Sequence, residues 1–158
     1  VSRKTDEDAV RDVLERNRVK FGRVLSIDYK SLPFSVFDLS GGNEELREVD
    51  MSNPEEFGRY ILSVIKRDGS KYGIGLYAED RCIYDHSDLF DDSKRRTLHL
   101  GIDLWCDAGV DVLCPFDGRV HSFANNRGNG DYGPTIILEH EIESIVFYTL
   151  YGHLSEGP

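Results

Sequence analysis

The chain has 158 residues, a formal net charge of −10 and a pI near 4.9, which argues against nucleic acid or an anionic membrane surface as its main partner. Hydrophobic residues at 39% and aromatic residues at 11% point to a folded domain, one alone or one with an appendage, and away from disorder. No run approaches the roughly 18 apolar residues of a membrane span, and Val1-Ser2-Arg3-Lys4 leads into acids instead of the apolar stretch of a signal peptide.

In chain order, Thr5-Asp6-Glu7-Asp8 predicts a helix start, with a threonine cap and three acids against the positive helix end. Val10, Val13, Leu14, Phe21, Val24 and Leu25 then follow an approximate helical stripe, weakened at its end by Gly22. Ser31 to Asn43 reads as an extended segment ending in a turn. Asn53-Pro54-Glu55-Glu56 predicts a second helix, with Asn53 as cap, proline in the first turn and Glu56 able to reach back. Phe57, Tyr60, Ile61, Val64 and Ile65 form its apolar face, and Lys66, Arg67 and Gly69 end it. Both helices are expected to pack on a sheet and to carry no chemistry.

Tyr72 to Tyr77 and Arg81 to Tyr84 are short strand candidates separated by Ala78-Glu79-Asp80. Asp85-His86-Ser87-Asp88 with Asp91-Asp92 forms an acidic loop, read as a solvated linker or as a lid in which His86 is a surrogate ligand. Next comes His99-Leu100-Gly101-Ile102-Asp103. On a continuous strand, Leu98, Leu100, Ile102 and Leu104 would share a core face, and His99, Gly101 and Asp103 the other. Imidazole and carboxylate donors suit a borderline-soft ion such as zinc; a half-buried strand with a wet polar face is the plain alternative. Four extended residues span about 13 Å, so a shared ion requires a bend, and Gly101 is where a bend is cheap.

Thr135 to His140 and Ile145 to Leu154 are strand-like runs joined across Glu141 to Ser144 as a hairpin, with His153 at the end of the second. His153 either faces a cleft or ends a surface strand. Asn125 to Pro134 is a turn-rich loop, either one wall of a cleft or a connection. His121 and His140 read as structural. Of the three cysteines, Cys82, Cys106 and Cys114, the last two could pair across a turn, but small buried thiols in a reducing compartment are the expectation.

Four ordered motifs carry a resemblance: His99 to Asp103, Ala108 to Val120, Asp131 to His140 and Tyr148 to Ser155. Together they resemble the lysostaphin/LytM-type zinc metalloendopeptidases, the cell-wall peptidase family. The chain is most similar to the peptidase-like domain of bacterial phosphotransferase/aminotransferase fusions, where Ser31 to Ser40 and Tyr77 to Phe90 also have loose counterparts. The resemblance implies that His99 and Asp103 are zinc ligands and that His153 is a catalytic histidine contacting the attacking water or the oxyanion. It implies Zn2+ as cofactor and peptide or peptidoglycan as substrate. The family's third ligand is the second histidine of a His-x-His pair, and none of His86, His99, His121, His140 and His153 lies two residues from another. The third ligand is therefore expected from a fused or partner segment, with the domain truncated at its C-terminus.

The fold expected is mainly β (α+β): an antiparallel groove of the lysostaphin/duplicated hybrid motif type, with N-terminal helices packed on it. Residues 1–70 would be a helical and extended region, and 71–158 the peptidase-like β domain. The function expected is zinc-dependent endopeptidase action on peptidoglycan-type peptides. The first alternative is a non-catalytic binding or regulatory domain of the same fold. The second is a phosphohistidine carrier using His99, because glucose-type phosphocarriers share a similar histidine motif and a Pro-x-x-Gly-x-Val turn. There the turn precedes the histidine, whereas Pro115 to Val120 follows His99. No nucleic acid and no membrane span are expected. The compartment stays open, leaning cytoplasmic, with periplasm and cell wall as alternatives.

Overall fold

The structure, a computed structural model, describes residues 5–81, 98–128 and 131–156. Cys82, the 82–84 part of the second strand candidate, the acidic loop with His86, and residues 129 and 130 of the turn-rich loop lie outside them. The chain divides into two compact units, Ile27–Asp111 and a unit made of Val1–Ser26 with Val112–Pro158. Position 70 falls inside the first of these, so compactness divides the chain differently from the 1–70 and 71–158 partition.

The Ile27–Asp111 unit is built on a crossover. Strand β1 (Phe34–Phe37) leads through a 3-10 turn at Glu44–Glu48 into helix α2 (Pro54–Arg67) and returns as β2 (Tyr72–Gly75); the helix Asp6–Asn17 of the other unit is α1. Strands β1 and β2 pair in parallel, Phe34 opposite Tyr72 through Phe37 opposite Gly75. This pair departs from the antiparallel expectation because a helix separates the strands, and a helical crossover returns the chain in the same direction. Short strands β3 (Glu79–Asp80), β4 (Leu98–His99) and β5 (Asp103–Trp105) follow. β5 adds antiparallel to β2, and β3 pairs antiparallel with β4.

Helix α2 starts as its sequence dictates. The Asn53 side-chain oxygen accepts from the Glu55 and Glu56 amides at 3.0 and 3.3 Å. Glu56 does reach back, but to the Asp50 amide at 3.0 Å. Gly69 closes the helix at φ +67°, where a side chain would be strained. Ile61 and Val64 of α2 meet Phe37, Leu39, Leu46 and Met51 in the buried core, with Phe57, Tyr60 and Trp105 packed against it. Each such side chain contributes about 1.5–3 kcal/mol by leaving water, an upper estimate against a compact unfolded chain.

The other unit is a three-stranded antiparallel meander, β6 (Arg119–Asn126), β7 (Gly133–Ile142) and β8 (Ile145–Tyr151), with α1 against β8. The expected hairpin is present. Its two turn residues, Glu143 and Ser144, have φ of +51° and +65°, the type I′ pattern whose twist matches paired strands. Helix α1 opens with a capping box: the Asp8 amide donates to Thr5 Oγ1, and the Thr5 amide to the Asp8 carboxylate, both at 3.2 Å. It ends at Asn17, so Phe21, Val24 and Leu25 fall outside the helix on which the stripe would have placed them. Asn17 Nδ2 donates to the Val13 carbonyl at 2.9 Å and to Glu143 Oε1 at 3.0 Å, tying the helix end to the hairpin turn.

His140 is structural as expected. It is 1% exposed, stacked on Phe147 with ring centroids 5.0 Å apart. Its Nδ1 lies 3.0 Å from the Asp117 carbonyl and its Nε2 2.8 Å from Thr149 Oγ1. A Cβ at Gly118 would come within 2.5 Å of that imidazole and 2.7 Å of the Glu139 carbonyl, so this approach requires glycine. No helix among the described residues is long and apolar enough to cross a membrane.

Candidate functional site

The stretch from Leu98 to Trp105 is two strands with a bend between them. β4 pairs Glu79 with His99, whereas β5 pairs Gly75 with Asp103. The bend falls over Leu100 to Ile102 and brings His99 Nε2 to 3.6 Å from Asp103 Oδ1. A continuous strand would have left these residues about 13 Å apart along the chain. Gly101 permits the closure: a Cβ there would sit 3.1 Å from His99 Nε2.

The bend also inverts the expected burial. Leu98, Leu100, Ile102 and Leu104 are 51%, 69%, 64% and 36% exposed, so they do not form a core face. The side chains of His99 and Asp103 are the less exposed ones, at 13% and 29%. His99 and Asp103 lie in separate short strands and meet through the bend, and the apolar side that alternation would bury is the exposed one. Here a buried ion cluster draws the polar side inward.

That cluster consists of Glu79 and Arg81 beside Asp103, and the sequence reading did not single out either residue. Arg81 Nε donates to Glu79 Oε2 at 2.9 Å, and its Nη2 lies 2.6 Å from Asp103 Oδ2. The Arg81 and Glu79 side chains are only 6% and 8% exposed. Glu79 Oε1 accepts the Leu39 amide at 2.8 Å. The Arg81–Asp103 contact is an ion pair without hydrogen-bond alignment, and neither Arg81 Nη2 nor Asp103 Oδ2 has another hydrogen-bond partner among the described residues. The Glu79-Asp80-Arg81 spacing carried a signal: residues two apart on a strand share a face, here with opposite charges.

On its other side, His99 Nδ1 lies 3.4 Å from the Leu76 carbonyl oxygen. A carbonyl and a carboxylate both only accept, so each ring nitrogen of His99 faces an oxygen acceptor, Nδ1 the Leu76 carbonyl and Nε2 the Asp103 carboxylate. Trp105, in the same strand as Asp103, would be 2.8 Å from a Cβ at Gly75, as Arg81 Nη2 would be at 2.9 Å. Gly75 therefore leaves room for both the indole and the guanidinium.

His153 belongs to the other unit. It lies two residues beyond the end of β8 at φ +55°, so strand alternation does not fix its direction. Its amide donates to the Tyr132 carbonyl at 2.6 Å, and its ring, exposed, meets the Tyr132 ring edge-on at 6.3 Å. Cys106 and Cys114 are both free thiols. Burial pushes the Cys106 thiol up, whereas Cys114 is exposed, against expectation, and donates to the Phe116 carbonyl at 2.8 Å. Among the described residues, no group of three histidine, cysteine, aspartate or glutamate side chains converges as a metal site. Comparison with protein-family models, curated proteins and solved structures returns no match to this chain.

Proposed function

We propose that His99 to Asp103 is the first metal motif of a lysostaphin/LytM-type zinc endopeptidase acting on peptidoglycan-type peptides. The observation that carries this reading is the 3.6 Å separation of His99 Nε2 and Asp103 Oδ1. Two ligands of a tetrahedral zinc, each bonded at about 2.0–2.1 Å, sit about 3.3 Å apart. The pair is thus close to the spacing of two tetrahedral ligands, and a backbone carbonyl lies behind the ring at Nδ1, where metal-binding histidines commonly have one. His99 and Asp103 would hold the ion. Once bound, zinc supplies a water of lowered pKa and polarises the scissile carbonyl. His153 as the catalytic histidine, and a third ligand from a further segment, belong to the same reading and rest on the resemblance.

The test is zinc titration of the chain with and without His99→Ala. The reading expects measurable binding, weakened by tenfold or more in the variant, on the scale of a lost ligand contact. Equal affinity in the two proteins refutes it.

One observation favours a second reading, a non-catalytic binding or regulatory domain of the same fold. Arg81 already neutralises Asp103 at 2.6 Å, which makes the aspartate a structural ion-pair partner. A zinc affinity indifferent to both His99 and Asp103 supports this reading. The phosphocarrier alternative gains nothing from the geometry, because a phosphoryl group on His99 Nε2 would face the Asp103 carboxylate.

A further inference from the structure

We propose that Arg81 is a built-in competitor for a metal ion at Asp103, an internal cation that holds the site in a low-affinity state. This rests on the metal reading of His99 and Asp103 and names the regulation of that same pair.

The argument begins with charge. Among the described residues, the cluster sets two carboxylates, Glu79 and Asp103, against one guanidinium, Arg81, one negative charge in excess, with the Glu79 and Arg81 side chains less than a tenth exposed. Buried charge in excess attracts a cation. Arg81 divides itself between the two acids unequally. Toward Glu79 it makes an aligned hydrogen bond at 2.9 Å, and Glu79 is itself anchored by the Leu39 amide. Toward Asp103 it makes a 2.6 Å contact with no hydrogen-bond alignment.

Arg81 therefore has a firm partner that it keeps and a loosely directed one that it can give up. Asp103 Oδ2 is engaged by the guanidinium while Oδ1 points to His99. A divalent ion on Oδ1 would lie close to a fixed positive charge in a partly desolvated site, where charges act over short distances with little screening. Binding must overcome that repulsion or displace the guanidinium from Asp103. If Arg81 turns wholly toward Glu79, the aspartate and histidine are released together as a ligand pair.

The experiment measures Zn2+ affinity by competition with a chromogenic chelator, on the whole chain, for wild type, Arg81→Met, Glu79→Gln and His99→Ala. Arg81→Met removes the competing charge and is expected to bind zinc at least about tenfold more tightly, a gain lost again when His99→Ala is added. Glu79→Gln leaves the guanidinium to Asp103 alone and is expected to weaken zinc by about tenfold. This second variant leaves Arg81 and Asp103 as a charge-balanced pair, so it tests the proposal even if Arg81→Met fails to fold. Wild-type affinity in Glu79→Gln, or no gain in folded Arg81→Met, overturns the competitor role while His99→Ala still weakens binding. If His99→Ala changes nothing in any background, the metal reading itself has failed, and the inference with it.

Discussion

Replacing Arg81 by methionine tests the ion cluster without reference to any ligand. Methionine keeps most of the apolar stem and deletes the charge, leaving Glu79 and Asp103 as carboxylates at 8% and 29% side-chain exposure. Removing one member of a buried ion pair costs about 3–5 kcal/mol, because the partner stays buried and uncompensated. Glu79 is buried enough to incur that cost; Asp103 is open enough for water to relieve much of its share. The expected loss is therefore near the lower end, about 3 kcal/mol, or a fall in melting temperature of about 6–12 °C for a chain of this length. Trp105 is the sole tryptophan and packs 5.0 Å from Phe37 in the same unit, so its fluorescence in a urea titration reports this unit. Asp103→Asn is the control: Arg81 keeps Glu79, and the loss should stay near 1 kcal/mol. A loss below about 1 kcal/mol for Arg81→Met would show that the cluster is effectively solvated and would refute the reasoning.

Gly118→Ala forces a Cβ within 2.7 Å of the Glu139 backbone and should destabilise the meander by about 1–3 kcal/mol in chemical denaturation. Gly58→Ala, inside α2 with nothing within 4 Å of the new Cβ, should instead stabilise by about 0.5–1 kcal/mol; a loss there would mean that the helix face is packed more closely. Glu143 is held below the usual carboxylate range by hydrogen bonds from Asn17 and then Arg16, and Glu139 by one from Arg119. Depressed folded-state values mean that stability is present above the ordinary carboxylate pKa and is lost as pH falls through the folded value. Acid titration followed by circular dichroism should therefore show a loss in the acid range that Glu143→Gln reduces; an unchanged acid limb would count against the link. In a preparation that cleaves peptidoglycan peptides, His153→Ala should lower turnover about a hundredfold or more with zinc content unchanged, and loss of metal instead would make His153 a ligand.

Local chemistry determined what the sequence alone could show. Thr5 and Asn53 cap helices because their side chains reach amides two or three residues away, and Glu143-Ser144 reverses the chain between two β-rich runs. The bend at Gly101 was legible for the same reason: a missing Cβ is a local property, and it allows the imidazole to fold back. Tertiary structure decided the rest. Whether β1 and β2 pair in parallel depends on the crossover between them, a relation across 34 to 75 that no local pattern encodes. Which side of Leu98 to Trp105 turns inward depended on Glu79 and Arg81, whose charge cluster outweighed the hydrophobic alternation of four leucine and isoleucine residues. Periodicity specifies which residues share a face, but only the neighbours that the fold supplies determine whether that face meets water or a buried guanidinium.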